Sequence, residues 1–585
     1  MRTRMNLVLV APSLGALIFL EAMIMLPGRA SADWPILGRP MTTAPKGQVH
    51  SVIATDGAGG AIIAWEDQRN NRVNIFARRV LASGNLDPAW PDLGRALLRD
   101  TVTIATADGG QTTPLLVADG SGGAIAVWKD LRSAATDVDL FAQHVLANGT
   151  VDLAWPANGT PVTTATGNQS THAVVSDDAG GVLVVWADTR LGNAEADIFA
   201  QHVLAAGIVD PRWPANGLAI CSAPAAQGFP AIASDGAGGA IISWDDPRAG
   251  TFDVFAQHVR EDGSVDPAWP ANGRAVCSAA GDQGRSTIVT DGSHGAIVAW
   301  TDGRVANTNH IFAEHVLATG TVDPAWPANG RAISGAAVAE TRPLAVSDGA
   351  GGAIVNWQGF TTQLNMYLQH VTAAGIVDPN WPAAGKALSD ADRQQISAEI
   401  VADGAGGAIV VWADGDQLLA QHVLANATVD PLYPTTGRPI ASGPGSQGDP
   451  ALLGTGAGGA IVSWSDGRSG IGIDIFALQI LNAVTTDVPP PVVGAVTFDL
   501  PRPNPARVSL TLRIALSTSS NVRLDIYDAA GRKVRELAAG SLPAGERTLQ
   551  WDLRDDVGTN VRAGIYLARL EVEGRVLTRK IVRLD

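Results

Sequence analysis

Residues Ser286 to Gly335 read STIVT DGSHG AIVAWTDGRVANTN HIFAEHV LATGTVDPAWPANG RAISG. Four β-rich runs, STIVT, AIVAW, IFAEHV and RAIS, alternate with turns made of Gly, Asp, Asn and Pro. This alternation predicts four consecutive antiparallel strands, a to d. Strand b is apolar throughout rather than at every second position, so both its faces are expected to be buried. A single sheet with one wet face does not require that, whereas blades stacked face to face do.

The unit recurs along the chain. DGAGGA begins at Asp56, Asp235, Asp348 and Asp403, with variants at Asp119, Asp177, Asp291 and Thr455. Nine residues after each start stands a Trp: Trp65, Trp128, Trp186, Trp244, Trp300, Trp357, Trp412 and Trp464. A second marker, W-P-x-x-G, begins at Trp34, Trp90, Trp155, Trp213, Trp269, Trp326 and Trp381, with Tyr433 as the eighth. The chain opens on a d-type segment (Trp34 to Met41), and its last repeat ends on a c-type strand (Ile475 to Ile480). The N-terminal strand is therefore expected to close the last blade and remove the open edge of an array. The reading is all-β: an eight-bladed β-propeller of four-stranded blades over residues 33–484.

Composition agrees with a scaffold reading. The 585 residues hold 16 Trp against 4 Tyr and 11 Phe, and the two markers account for 15 of those Trp. Net charge is −16, with +2 in the first 32 residues and +4 over 495–585, which leaves −22 for the middle. A domain that acidic repels phosphate backbones, so no nucleic-acid partner is expected. Arg2 and Arg4 precede an apolar run from Leu7 to Leu20, and Ala30-Ser31-Ala32 offers a small-x-small cleavage site. Residues 1–32 therefore read as a signal peptide, with Ala30 and Ala32 marking the cut. No later segment is long and apolar enough to span a membrane as a helix, so the mature chain is expected to be extracellular or at the outer-membrane surface. Cys221 and Cys277 fall in strand d of consecutive blades, too far apart for a bridge, and are expected as separate thiols.

Loop lengths favour one face for function. The b–c and d–a connections vary, and a seven-residue insertion lies around Asp100 to Gly110. Variable loops on a rigid scaffold usually carry the site. Asp100 and Asp108 of the insertion are candidates, as are Gln358, Phe360 and Tyr367 (with Met366) of the sixth blade and Asp414 and Asp416 of the seventh, where the repeat breaks its own pattern. An Asp-x-Arg pair follows strand b in six blades: Asp67/Arg69, Asp130/Arg132, Asp188/Arg190, Asp246/Arg248, Asp302/Arg304 and Asp466/Arg468. Its repetition marks it as structural, with Arg expected to bridge to the acidic residue before strand c, such as Asp139, Asp197 or Asp253.

Six histidines occupy one slot of strand c: His144, His202, His258, His315, His370 and His422. Equivalent positions on neighbouring blades lie too far apart to converge on one ion, so a packing or hydrogen-bonding role is expected and no metal site. No D-x-D-x-D-G loop closing on Glu appears, and no cofactor is expected; Asp414/Asp416 and Asp137/Asp139 are the pairs left open for Ca2+. No G-x-S-x-G, H-E-x-x-H or phosphate-binding loop occurs. No catalytic residue is assigned.

After Val488-Pro489-Pro490-Pro491, within a Pro-rich linker over 485–497, a basic β-rich module of about seven strands fills 498–585. Pro503-Asn504-Pro505, Ile526-Tyr527-Asp528, Gly531-Arg532, Trp551-Asp552, Gly564-Ile565-Tyr566 and Lys580-Ile581-Val582 resemble the flagellar-hook-cap Ig-like and type IX secretion C-terminal sorting domains. The resemblance implies an Ig-like sandwich and secretion machinery as partner; the alternative is a plain Ig-like adhesion or spacer module. The repeats resemble W-x-D-x-R arrays of secreted bacterial proteins of unknown function, and the Gly-rich turn before Trp resembles the Asp-box of sialidases. The expected function is an exported, surface-associated or secreted monomer that binds a glycan or protein without catalysis. Glycoside hydrolase or lyase activity, and a purely structural surface role, are the alternatives.

Overall fold

The computed structural model describes residues 34–480 and 497–584, apart from 36–37, 70–71, 97–109, 135–136, 191, 193–195, 306–307, 336–338, 392, 442–444, 457, 471, 499–500, 502–503, 517–519, 529–530, 543–544 and 573–574. The signal-peptide reading, Asp100, Asp108 and most of the linker lie outside the described residues. The chain divides into two compact units, Met1–Asn482 and Ala483–Asp585.

The first unit is an eight-bladed β-propeller. Seven blades run a-b-c-d in chain order, and the eighth is Gln447–Gly454, Ala460–Asp466 and Asp474–Ile480 completed by Arg39–Pro40 from the N-terminus. Arg39 pairs with Ala477 and Pro40 with Phe476. Strands a of adjacent blades touch one another around the centre, including the first with the last (Gln48–Thr55 with Gln447–Gly454). Strand d lies outermost.

The core sits between blades rather than within them. Eight apolar clusters each join one blade to the next, and the last joins Ile461, Ile475 and Ala477 to Ala61, Ile63 and Trp65, closing the ring. This explains the uniformly apolar strand b: Ala61–Asp67 is buried at every position because a blade covers each face.

The two Trp per repeat have different tasks. The strand-b Trp stacks on the strand-c aromatic, as in Trp244 on Phe255 with ring centres 6.2 Å apart. The W-P Trp staples blades together, for example Trp155, whose indole N–H donates to Ala205 O of the next blade at 3.0 Å. Gly207 in that blade has φ +77°, and a Cβ there would lie 2.5 Å from the Trp155 ring. Glycine takes that dihedral at no steric cost and leaves room for the ring; in the seventh blade Ala427 fills the equivalent slot, packed in one core with Trp381, at φ +62°.

The Asp-x-Arg pair is a buckle inside its own blade. Trp65 Nε1 donates to Asp67 at 2.9 Å, Arg69 grips the same carboxylate with Nε at 2.8 Å and a terminal nitrogen at 2.5 Å, and its guanidinium lies 3.9 Å above Phe76. This corrects the expected bridge to the acid before strand c. Arg132 holds Asp130, while Asp139 accepts from Ser133 Oγ. Arg190 likewise holds Asp188 and not Asp197: one terminal nitrogen donates to the Asp188 carboxylate at 2.6 Å and to Asn216 O at 2.7 Å. Its grip is weaker than the others, since the buried Arg190 Nε has no hydrogen-bond partner. Arg468 holds Asp466 rather than Asp474, with Nε at 2.7 Å from one carboxylate oxygen and a terminal nitrogen on the other. Arg248 and Arg304 close on Asp246 and Asp302 in the same way. A planar guanidinium two residues on reaches its own carboxylate without extending its stem, and stacks on the strand-c ring: 3.8 Å from Phe199 for Arg190, 4.2 Å from Phe476 for Arg468.

Each strand-c histidine is clamped between two aspartates. His258 Nε2 lies 2.9 Å from Asp235 of the a–b turn, and Nδ1 lies 2.9 Å from Asp266 of the c–d turn. Cys221 and Cys277 are free and buried.

The second unit is a small β-sandwich. A three-stranded sheet (Thr497–Phe498, Leu510–Leu516, Gly545–Trp551) and a four-stranded one (Lys533–Leu542, Ser520–Asp528, Gly564–Val572, Arg575–Arg583) enclose one core around Leu512, Leu524, Ile526, Trp551 and Leu570. Asn504 ties the chain's entry to the last strand, accepting from Val582 N and donating to Lys580 O, both at 2.8 Å. Among the described residues no helix occurs in either unit, and none is long and apolar enough to cross a membrane.

Candidate functional site

Strand a carries a bulge in every blade. In the first, the pairing with strand b skips between Val49 and Val52, leaving two residues of strand a without partners. The first unpaired residue adopts left-handed backbone in all eight blades: His50, Thr113, Thr171, Phe229, Arg285, Arg342, Ser397 and Asp449, with φ between 43° and 56°. None is glycine, and Thr and Phe are costly there, roughly 1–3 kcal/mol each. A bulge re-aims a side chain. Here all eight side chains are exposed on the innermost strand, at its N-terminal end. They form a ring around the mouth of the channel, on the face where b–c and d–a connections open.

The ring divides chemically. One side is a 520 Å3 cavity lined by His50, Glu66, Thr113, Ser397, Glu399 and Asp449 among others. Glu66, buried at the end of strand b, accepts the Thr113 backbone N–H at 2.7 Å and faces His50 Nδ1 at 3.2 Å. Glu399 stands two residues further along its strand, where the other blades carry Val52, Leu115, Ala173, Ala231, Thr287, Leu344 and Ala451. Burial, in a cavity shared with Val52, Leu115 and Pro450, pushes its carboxyl up to about 7. The other side is a 300 Å3 cavity lined by Thr171, His172, Phe229, Arg285 and Arg342 together with Pro230, Ser286 and Pro343. Burial, and then the charge of Lys129, holds His172 down at about 4. Asp245, equivalent to Glu66, accepts the Arg285 backbone N–H at 2.9 Å, and burial raises it to about 7.

Of the residues singled out from the sequence, those that are described, Gln358, Phe360, Met366, Tyr367, Asp414 and Asp416, line none of these cavities. Gln358 is buried at the end of its strand b. Phe360 is exposed at the hairpin tip. Tyr367 stacks on Trp357 with ring centres 6.0 Å apart, the position Phe holds in six other blades and Leu419 in the seventh. Asp414 is buried opposite Gln395, its carboxyl raised by burial, and Asp416 is exposed in the two-residue b–c turn. The buckle arginines, Arg190 and Arg468 among them, stay on their own aspartates and outside both cavities. The ring was visible only as one column of the repeat. A fixed Gln (Gln48, Gln111, Gln169, Gln227, Gln283, Gln395, Gln447) or Glu340 stands two residues before a position that changes type in nearly every blade. Among the described residues no group of three or more His, Cys, Asp or Glu is arranged to hold a metal ion.

Residues 505–575 match the FlgD Ig-like domain. No curated protein matches the chain. Among solved structures, the α-L-arabinanase of Penicillium chrysogenum complexed with arabinobiose is 12% identical, with 58% of this chain and 99% of that one covered, at a TM-score of 0.32. The α-L-arabinofuranosidase of Fusarium graminearum is 11% identical, with coverages of 59% and 96% and a TM-score of 0.32. A protein of unknown function from Dyadobacter fermentans is 10% identical, with coverages of 53% and 94% and a TM-score of 0.31. Likeness of this degree carries no activity across; the propeller assignment stands on the eight closed sheets themselves.

Proposed function

We propose that this is an exported protein whose propeller binds a glycan at the mouth of its central channel, while the Ig-like unit directs secretion or surface attachment. One observation carries the binding reading: eight strained, exposed side chains of differing chemistry stand on one invariant backbone feature around one opening. A purely structural array has no need to keep that strain or to vary that column. Export rests on the N-terminal signal pattern, and attachment on the FlgD-type Ig-like match. The test is a glycan array probed with the mature full-length chain, alongside a panel of polysaccharide and aryl-glycoside substrates. Retention of glycans by the intact chain and loss on Asp449→Arg supports the reading; no retention and no turnover leaves the structural role. Deleting 498–585 tests attachment, and unchanged surface delivery would refute it.

A glycoside hydrolase is the second reading, and Glu399 is the observation that favours it. A carboxyl protonated near neutrality, sharing a cavity with Asp449 and Glu66, is what a general acid paired with a carboxylate requires. Turnover that disappears in Glu399→Gln while binding persists would establish catalysis.

A further inference from the structure

We infer that the Arg285–Arg342–Phe229 side of the mouth is a subsite for a saccharide bearing a single anionic group, a carboxylate or sulfate; this rests on the mouth being the glycan site. Two exposed guanidiniums line one 300 Å3 cavity that contains no acidic side chain. The arginines that follow strand b spend their charge on their own aspartates. Arg285 and Arg342, in contrast, take part in no ion pair among the described residues. Both are exposed and line the cavity, and a planar guanidinium matches a carboxylate or sulfate edge with two parallel hydrogen bonds.

Phe229 supplies the second half of the subsite. Its ring is 50% exposed, and the Arg285 guanidinium lies 5.6 Å from its centre. An exposed aromatic face beside a cation accepts the C–H face of a pyranose while the charge holds its acidic substituent. Thr171 and Ser286 add hydroxyls at the same rim. Both arginines are fixed by the bulge, where their backbone has φ of 54° and 56°, so the forks are presented by a rigid strand rather than a loop.

The overall charge narrows the ligand further. The propeller carries about −22, so a polyanion laid across it meets repulsion along its whole length. Screening at physiological salt cuts that field off beyond about 8 Å, so a local pair of arginines still holds one isolated anionic group. An oligosaccharide with one acidic residue fits; a densely charged polymer does not.

The experiment is calorimetric titration of the mature full-length chain with sialyllactose, sulfated lactose, digalacturonate, its methyl ester and lactose. Binding of an acidic probe at least tenfold tighter than lactose is expected, with weakening at high salt. Arg285→Gln and Arg342→Gln should each weaken that binding about tenfold while leaving lactose unchanged, and the Arg212→Gln control, on the opposite face, should alter neither. Sialyllactose and sulfated lactose binding alike supports recognition of the charge; one binding without the other supports recognition of its geometry as well. Equal binding of lactose and the acidic probes, or acidic binding unchanged in the double arginine variant, overturns the inference while leaving the mouth as a glycan site. No saccharide binding at all overturns both.

Discussion

Trp357 donates its indole N–H to Glu340 at 2.9 Å, across the strand a–strand b pair of the sixth blade. In six other blades the Trp donates to an aspartate on its own strand, as Trp65 does to Asp67 and Trp300 to Asp302, and these aspartates face Gln48 and Gln283 on strand a; in the seventh blade the buried Trp412 Nε1 has no hydrogen-bond partner. In the sixth blade Glu340 faces Gly359 instead. The carboxylate has crossed the strand pair, and the buried indole keeps its acceptor.

That exchange makes Glu340 a stability residue. It is fully buried and also receives Ser334 Oγ and His310 Nδ1, the latter at 3.1 Å. Glu340→Ala should destabilise the propeller by about 2–3 kcal/mol, because the indole and hydroxyl donors are left unpaired. Adding Gly359→Asp should recover part of the loss. Urea unfolding followed by Trp fluorescence measures both, and an unchanged midpoint in the single variant would contradict the exchange.

Two glycines separate packing from backbone freedom. Gly217 has φ +102°, and a Cβ there would meet the Trp186 ring at 2.6 Å. Gly236 has φ +71° with nothing within 4 Å. Gly217→Ala should cost about 3 kcal/mol, adding overpacking to strain, and Gly236→Ala only about 1 kcal/mol. Equal losses in the two would show that the W-P-x-x-G contact is not tight.

The propeller should be most stable in mildly acidic solution. For His258 and His422, burial opposes the charge, but hydrogen bonds to Asp235 and Asp266, and to Asp403 and Asp430, prevail and raise both pKa values. Their contribution is complete below about 6.5 and is lost as pH rises through the folded values. Asp245, Glu314 and Glu399, raised by burial to about 7, act in the same direction, since the fold resists their ionisation. The clamp aspartates work from the other side. Although burial opposes it, the hydrogen bonds of Asp177, Asp235, Asp291 and Asp348 hold them low, so their contribution is lost as pH falls below about 4. Urea midpoints across the acid-to-alkaline range should peak between about pH 4 and 6; a steady rise from mildly acidic to mildly alkaline solution would refute the assignment.

Glu399 isolates one part of that profile. Glu399→Gln should stabilise the propeller in mildly alkaline solution (about pH 8), where the native carboxylate is ionised against its surroundings, by up to about 2 kcal/mol. At about pH 4.5 the two proteins should be alike. A variant less stable at both pH values would mean that the carboxylate is held by partners rather than penalised by burial.

Much of this architecture was legible because its causes are local. Turn glycines, an all-apolar strand b and two Trp markers repeat often enough that drift in any one copy does not hide them. The buckle was legible as a pattern, but its partner was not. Arg132, Arg190 and Arg468 reach Asp130, Asp188 and Asp466 rather than the acids before strand c, a choice made by side-chain reach within one blade. The ring was missed for a different reason. Its eight members sit within strand a, at a bulge that every blade repeats, whereas attention to variable loops leads to Gln358, Phe360 and Asp416, which stay outside the cavities.

The sequence by itself determined the repeat, the strand order and the closing strand, because hydrophobic period and turn chemistry act over a few residues. Only the tertiary structure decided which side chains meet. His50 and Asp449 lie 399 positions apart in the chain, yet line one cavity, because closing the ring brings the first blade against the last. No local preference encodes that meeting; it follows from eight inter-blade cores that can all be buried only when the circle is complete.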